Sequence, residues 1–537
     1  MTSTAQSDKP KTPTPQEIIL EQQQIIDRKS EIIEKKSRVI EHHEARIQLL
    51  EEFLRLEKHK RFSHSSEKYP GQGEMFNEAE LAHCESESEP ETIEPEPESS
   101  DETTPKKKPG RKGFSDQLPR EQVFIDLTDE EKAGAIDTFY TKVKEELDIV
   151  PAKVRILEYM QEKAVFIDEG QRKIKAAELP KHPIGKAMAS IGLLAYLIVA
   201  KYMDGLPLYR LEGILKRYGG NVTRTSMASW VIRLAVQCQP LIHVMREHQQ
   251  RGSLIQMDET RIQVLKEKRY VATGNKYMWV TLGGPPNEPI VIFDYDPSRG
   301  HEVPLRLLDG YKGYLQSDGY AGYDAVSKKL KLTQVGCWDH CRRKFKDAQS
   351  AQPTKKKGAA KVTKADVALS KIAKLYLIER KIINLSAEQK YEQRQQKSIP
   401  ILQDLKAWMD KNQGKSPKDS LISTAFVYMN NQWPKLIRYC EDGNLPISNI
   451  LAENAIRPFV IGRKAWLFSD TPKGAHASGI FYSLIETAKA NGIEPYAYLR
   501  HIFKALPYAD SVEKIEALLP WRVKDQVSSL ERKQKAA

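Results

Sequence analysis

Three acidic residues stand where one chain could gather hard oxygen ligands. Asp258 lies in "SLIQMDETRIQVL", where Ile255, Met257 and Val264 sit among alternating polar residues, the pattern of a half-buried strand. Glu259 follows it directly. Asp318 comes at the end of a second strand-like run in "LQSDGYAGYD", where the strand gives way to a glycine-rich turn. If the two strands are neighbours, their carboxylates face each other. Like charges so placed raise a pKa unless a divalent cation sits between them. Mg2+ (or Mn2+) takes such oxygen ligands and keeps open water positions. Two such ions about 4 Å apart clamp the attacking and leaving oxygens of a phosphodiester.

A pair of ion sites needs a third carboxylate, and Glu453 in "SNILAENAIRPFVIGRKAWLFSD" is the candidate. Ser448 or Asn449 is placed to cap a helix whose first turns carry Glu453, and Arg457, four residues on, shares its face. Arg463, Lys464 and Trp466 follow, and cations beside an aromatic suit a nucleic-acid strand by phosphate pairing and base stacking. Arg299 in "PSRG" is a weaker contact candidate, and Asp294 and Asp296 in "FDYDP" read as structural. An ordinary reading stands beside this one. An Asp at a strand end commonly makes a turn, a helical Glu beside Arg commonly makes a surface pair, and the chain has 72 acids to choose from.

The surrounding pattern indicates what must position these residues. After Ser253, strand-like runs at hairpin spacing ("KYMWVTLGG", "PIVIFDYDPSR") precede "GYLQSDGY" and then helices, which suggests an α/β domain with a partly antiparallel sheet. Residues 346–445 read as helical, with a Lys-rich loop at "KKKGAAKVTK". Upstream, "PLYRLEGILKRYGGNVTRTSMASWVIRL" has the form helix, Gly-Gly-Asn turn, helix, with Thr223 or Thr225 as the second N-cap. It fits either a helix-turn-helix presenting Arg224 to DNA or an ordinary helical hairpin. "QVFIDL", a helix and "VRILEYMQEKAVFID" suggest a small mixed unit over 121–180.

The N-terminal region is patterned differently. Ile19, Ile26, Ile33, Ile40, Ile47 and Leu54 recur every seven residues with no Pro or Gly from Gln16 to Arg61, the signature of a self-associating coiled coil. A long helix packed on its own domain is the alternative. "CESESEPETIEPEPESSDE" carries nine acids and reads as a solvated linker. "PKKKPGRKGFSDQLPR" reverses the sign, and Lys106, Lys107, Lys108, Arg111 and Lys112 suit either a phosphate backbone or a flexible solubilising linker.

Composition sets bounds on these readings. The 537 residues allow several domains. A formal charge of +12 favours a polyanionic partner. Five cysteines are too few for a disulfide scaffold. The longest apolar run, "IGLLAYLIVA", is too short to span a bilayer. A soluble cytoplasmic protein with no membrane partner is the expectation.

"MDET", "FDYDPSRG", "YLQSDGYAGYD", "GCWDHCRRKFKDA", "NILAENAIRPFVIGRKAWLF" and "YSLIETAKANGIEPYAYL" resemble, in order, the core of the insertion-sequence-66 family of transposases. "RFSHSSEK" and "KKPGRKGFSDQLPREQV" resemble its front half. The resemblance implies a ribonuclease H-like catalytic domain with an Asp-Asp-Glu triad, matched by Asp258, Asp318 and Glu453, which would hold the metal. It implies metal-dependent cleavage and strand transfer, DNA ends and target as partners, and accessory proteins of the element in many cases. Cys337 and His340 form the Cys-x-x-His step seen in related groups, read here as structural. Relatives often carry paired Cys-x-x-Cys steps in the front half; residues 103–237 contain no cysteine, so a metal-free version is expected. A nuclease that does not join, and a non-catalytic DNA-binding dimer keeping the fold, are the alternative functions.

The expected organisation is a disordered lead (1–15), a coiled coil (16–62), an acidic linker (63–104), a basic segment with a small mixed unit (105–182) and a helix-turn-helix-like region (183–250). The ribonuclease H-like core follows in two parts (251–345 and 446–510) around a helical insertion (346–445), with a helical tail (511–537).

Overall fold

The computed structural model describes residues 15–62, 140–141, 154–168, 171–185, 187–268, 270–271, 274–352 and 362–535. The expected lead (1–15) apart from Pro15, which begins a helix, and the acidic linker and basic segment, with Lys106, Lys107, Lys108, Arg111 and Lys112, lie outside the described residues. The chain is mixed α/β and mostly helical, and forms two compact units. One unit holds the N-terminal helix and residues 335–448. The other holds the described residues from 140 to 334 and from 449 to 535.

In chain order the elements begin with helix α1 (Pro15–Phe62) and a hairpin of β1 (Lys163–Asp168) and β2 (Gln171–Ala176). Helices α2 (Ile191–Tyr202), α3 (Leu208–Arg217) and α4 (Arg224–Gln249) follow, then strands β3 (Leu254–Ile262), β4 (Lys276–Gly283) and β5 (Ile290–Asp296). Next come α5 (Glu302–Leu307), β6 (Tyr314–Gln316), α6 (Ala321–Leu330) and β7 (Thr333–Val335). The inserted helices are α7 (Trp338–Ser350), α8 (Lys364–Lys381), α9 (Ala387–Gln393), α10 (Ile399–Asn412) and α11 (Leu421–Leu436). The chain ends through α12 (Ile450–Trp466), α13 (Pro472–Ala490), α14 (Pro495–Ala505), α15 (Val512–Glu516) and α16 (Pro520–Lys535).

The sheet order is β5-β4-β3-β6-β7. β3, β4 and β5 run as antiparallel neighbours, and β6 lies parallel to β3, with Gln256 opposite Gln316. Alternation divides the side chains between two apolar layers. Ile255, Met257, Trp279 and Leu315 pack with Val303, Leu307 and Tyr323 beneath α5 and α6. On the opposite face Met278, Val280 and Phe293 join a second cluster that also takes in residues of α2, α4, α13 and α14. Gln256 and Asp258, out of phase with Ile255 and Met257, are turned away from the α5/α6 layer. The exposed backbone of the edge strand β5 is met by α13: Ser483 Oγ accepts from the Phe293 N–H at 2.8 Å, and Thr487 Oγ1 bonds both the Val291 N–H and its carbonyl at 3.0 Å. Hydroxyls on a buried helix thus pair an edge that would otherwise be open.

The "VRILEYMQEKAVFID" expectation holds only in part. Strand structure starts at Lys163, while Val154–Glu162 has none and leaves Ile156 and Met160 almost fully exposed. Among the described residues no second strand lies beside that stretch, so its apolar residues have nothing to pair with or cover. Thr223 caps α4 through the Ser226 N–H, placing Arg224 in its first, exposed turn. α4 is 26 residues long and buries Met227, Trp230, Val231 and Leu234 in the core.

In the helical unit, Trp338 donates to the Leu436 carbonyl at 2.8 Å, and Phe345 and Trp408 meet Phe426 edge-on and tilted. Buried Arg394 pairs with Glu379 and donates to the carbonyls of Tyr439 and Asp442. The C-terminal end of α1 docks here: Leu56 is buried and Arg55 donates to the Ala351 carbonyl at 2.9 Å. Further toward its N-terminus, Ile26, Ile33, Ile40 and Ile47 are each more than half exposed.

Candidate acidic site

Asp258 sits mid-strand in β3, half-buried, and its Oδ1 accepts the Glu259 N–H at 2.8 Å. Asp318 stands two residues past β6, where its Oδ1 accepts the Tyr320 N–H at 2.9 Å across Gly319, whose φ is +86°. The turn reading and the acidic-site reading of Asp318 are therefore compatible: one carboxylate oxygen organises the turn. Both aspartates lie two residues beyond the paired Gln256 and Gln316, so parallel register carries them to corresponding positions on neighbouring strands.

Glu453 lies in the first turn of α12 and is half-buried. The expected cap works differently. Asn449 occupies the N-cap position, but its side chain makes no cap bond; Nδ2 donates instead to the Met257 carbonyl at 3.3 Å. The buried Ala452 N–H is met by Gln256 Oε1 at 3.1 Å, and Gln256 Nε2 donates to Gln316 Oε1 at 2.7 Å. A strand residue thus supplies the helix cap, because the helix start lies directly on β3 and excludes water.

The charges of Glu453 and Asp318 both act on Asp258. The Asp258 pKa is pushed up to about 8, first by burial, then by the charge of Glu259, and further by Glu453 and Asp318. Glu259 is handled separately. Its side chain is almost fully buried, Arg299 holds it at 2.6 Å, and the Tyr323 hydroxyl donates to it at 2.8 Å. Arg299 also stacks 4.3 Å over the Tyr320 ring, so it braces the site rather than standing free as a DNA contact. Asp294 and Asp296 are held by Arg246 and Arg306.

The basic candidates follow the acids along α12. Arg457 is half-buried one turn past Glu453. Arg463 donates to Thr260 Oγ1 at 3.2 Å on β3, and Lys464 is exposed. Trp466 packs against Phe459, with Lys201 5.5 Å over its ring. Arg261, Arg463 and Lys464 line a groove of about 400 Å³. Arg224 stands on α4 instead, and Cys337 and His340 begin α7 in the helical unit, with Cys337 buried. Gln256, Gln316 and Arg261 escaped the sequence reading, which saw Asn449 only as a cap. A signal for the glutamines was present: Gln-x-Asp occurs at both aspartates, as "QMD" and "QSD".

Residues 186–477, more than half of the chain, match the Transposase IS66 family. The chain belongs to the IS66 family of transposases. Residues 483–521 of this transposase-family chain match the IS66 C-terminal element, and residues 49–123 match Transposase C of IS166 homeodomain. It is similar to three proteins of Sinorhizobium fredii (strain NBRC 101917 / NGR234). Uncharacterized protein y4qI is 31% identical over 435 residues, covering 78% of this chain and 79% of that protein. Uncharacterized protein y4hP is 28% identical over 435 residues, covering 78% of each. Uncharacterized protein y4jD is 28% identical over 429 residues, covering 76% of this chain and 81% of that protein. Membership implies a transposase acting on DNA, a function whose family generally uses divalent metals. No helix among the described residues is long and apolar enough to cross a membrane.

Gln256→Ala removes the bond to Gln316 and leaves the Ala452 N–H only its bond to the Asn449 carbonyl, at a cost of about 1–3 kcal/mol, read as a lower urea midpoint with an unchanged slope. The Asp258 carboxyl takes its proton at about pH 8 in the folded chain and at about 3.9 when unfolded. Its stability contribution is thus full below the lower value and lost as pH rises through the upper one. In EDTA, Asp258→Asn should raise Tm by a few degrees at alkaline pH and by less at mildly acidic pH; an equal gain at both would contradict the assignment.

Proposed function

We propose that the chain is an active DDE transposase with a ribonuclease H-like core, cutting DNA at the ends of an insertion sequence and joining those ends to a target. The observation that carries the reading is the electrostatic convergence of Asp258, Asp318 and Glu453 from two neighbouring strands and one helix. The strand order β5-β4-β3-β6-β7, with β3 central and β6 parallel to it, supports the fold.

The donor set fits Mg2+ or Mn2+: all three side chains offer carboxylate oxygens, and their mutual repulsion is what a divalent charge relieves. Asp258, Asp318 and Glu453 would hold the metal, which when bound acidifies an attacking water or sugar hydroxyl and neutralises charge at the scissile phosphate. The chain's own residues do the rest. Glu259, tied up by Arg299 and Tyr323, keeps its charge out of the ligand set and fixes β3 against α6. Arg457 pairs with a phosphate beside the reacting one, Lys464 with one further along the strand, and Arg463, braced on Thr260, orients the helix and the strand it contacts. Arg224 and the basic segment from Lys106 to Lys112 bind the element's ends beyond the acidic site. Hydrolysis and strand transfer reuse one acidic site because both are in-line attacks at phosphorus.

The half-exposed heptad isoleucines of α1 support pairing of two chains in a coiled coil, which suits a reaction that must bring two DNA ends together. Ile33→Asp with Ile40→Asp should shift the purified chain to a smaller mass by light scattering while leaving its helical signal largely intact; an unchanged mass would remove the coiled-coil reading.

With labelled duplexes from the DNA flanking the gene, the wild-type chain in Mg2+ should give nicked and joined products. Asp318→Ala should lower cleavage by more than about 100-fold, in the range lost when a transition-state contact is removed, while binding is retained. Cleavage at the wild-type rate would overturn the triad; cleavage without joined product would favour a nuclease.

A further inference from the structure

α12 ends in an unusual turn. Leu467 has φ +64° and ψ −54°, and the Phe468 N–H bonds the Trp466 carbonyl at 2.8 Å. This is a γ-turn with positive φ, a strained form that glycine adopts far more easily than leucine. The turn is held on both sides. The Leu467 N–H closes the helix onto Arg463, the Ser469 N–H bonds the Gln263 carbonyl, and Leu265 and Lys266 pair back to Ser469 and Asp470. Burial gives no return for the strain: Leu467 is 63% exposed and Phe468 44% exposed. Leu467 lines the groove that also holds Arg261, Arg463 and Lys464, and Arg261 and Lys464 have no ion pair among the described residues.

We propose that Leu467 and Phe468 form an apolar wedge that enters a base step of bound DNA and unstacks it, while Arg261 and Lys464 grip the flanking phosphates. The inference rests on the transposase reading and adds a DNA-distorting element to the same surface. The parts match what intercalation requires: a rigid backbone, an apolar tip that resists collapse, and cations beside it to hold the strand. A protein partner would also meet an apolar tip, but the cations of the groove favour a polyanion. Leu467 lies fourteen residues past Glu453, about 21 Å along the helix. That is the length of about six base steps, so the unstacked step lies away from the cut phosphate.

The test uses duplexes from the DNA flanking the gene, with 2-aminopurine stepped through them one position at a time. Wild-type chain should brighten one position several-fold, about six base pairs from the cut site. Leu467→Gly should lose that signal and raise Tm, because glycine relieves the backbone strain as it removes the tip. Leu467→Met should keep the signal, and Phe468→Ser should reduce it. Mg2+-dependent cleavage with no brightened position overturns the wedge alone, as does full brightening by the Leu467→Gly, Phe468→Ser double variant, and either result would leave the apolar tip to a protein contact. Neither binding nor cleavage by the wild-type chain overturns the transposase reading and the wedge with it.

Discussion

One buried amide links the three elements that carry the acids. Gln256 donates to Gln316 on β6 and accepts the Ala452 N–H at the start of α12, while Asn449 returns a bond from the helix start to the Met257 carbonyl. The amide has no freedom to reverse, because a backbone N–H can only donate and so requires the oxygen of Gln256. In a site closed to water each of these bonds would be costly to lose. The network therefore constrains strand register, helix start and carboxylate approach together. A one-residue slip of β6 would turn Asp318 to the other face and break the Gln256–Gln316 bond.

The rest of the sheet keeps that centre rigid. β3 is central, with β4 and β5 on one side and β6 on the other. Helices cover both faces, and hydroxyls of α13 satisfy the edge at β5. Accumulating negative charge is tolerated in such a place only because the scaffold is already paid for by apolar burial on both faces. Glu259 shows the difference between a structural and a reactive acid one residue apart: strand alternation sends it toward Arg299 and Tyr323, where its charge is matched, while Asp258 is left among other acids.

Much of this was legible, and what was not has physical reasons. Alternation announced β3, hairpin-spaced apolar runs announced β4 and β5, which are largely buried, and Thr223, one of two candidate caps, marked the start of α4. β6 is only three residues long, and its parallel pairing with β3 is a contact across sixty residues that no local pattern encodes; only the repeated Gln-x-Asp hinted at it. Asn449 looked like a cap, but tertiary contact with β3 outcompeted the local bond. The turn at Leu467 carries no glycine to mark it, since the strain is imposed by pairing with residues 263–266. The stretch from Val154 to Glu162 shows the reverse: apolar residues that read as a strand but acquire no partner among the described residues.

The central claim is that Asp258, Asp318 and Glu453 share divalent ions. Anomalous scattering from crystals of the chain soaked in Mn2+ addresses it directly. The account predicts metal density bounded by oxygens of all three side chains, lost in an Asp318→Ala crystal. Density elsewhere, or carboxylates of the three residues turned away from one another with no ion between them, would contradict it.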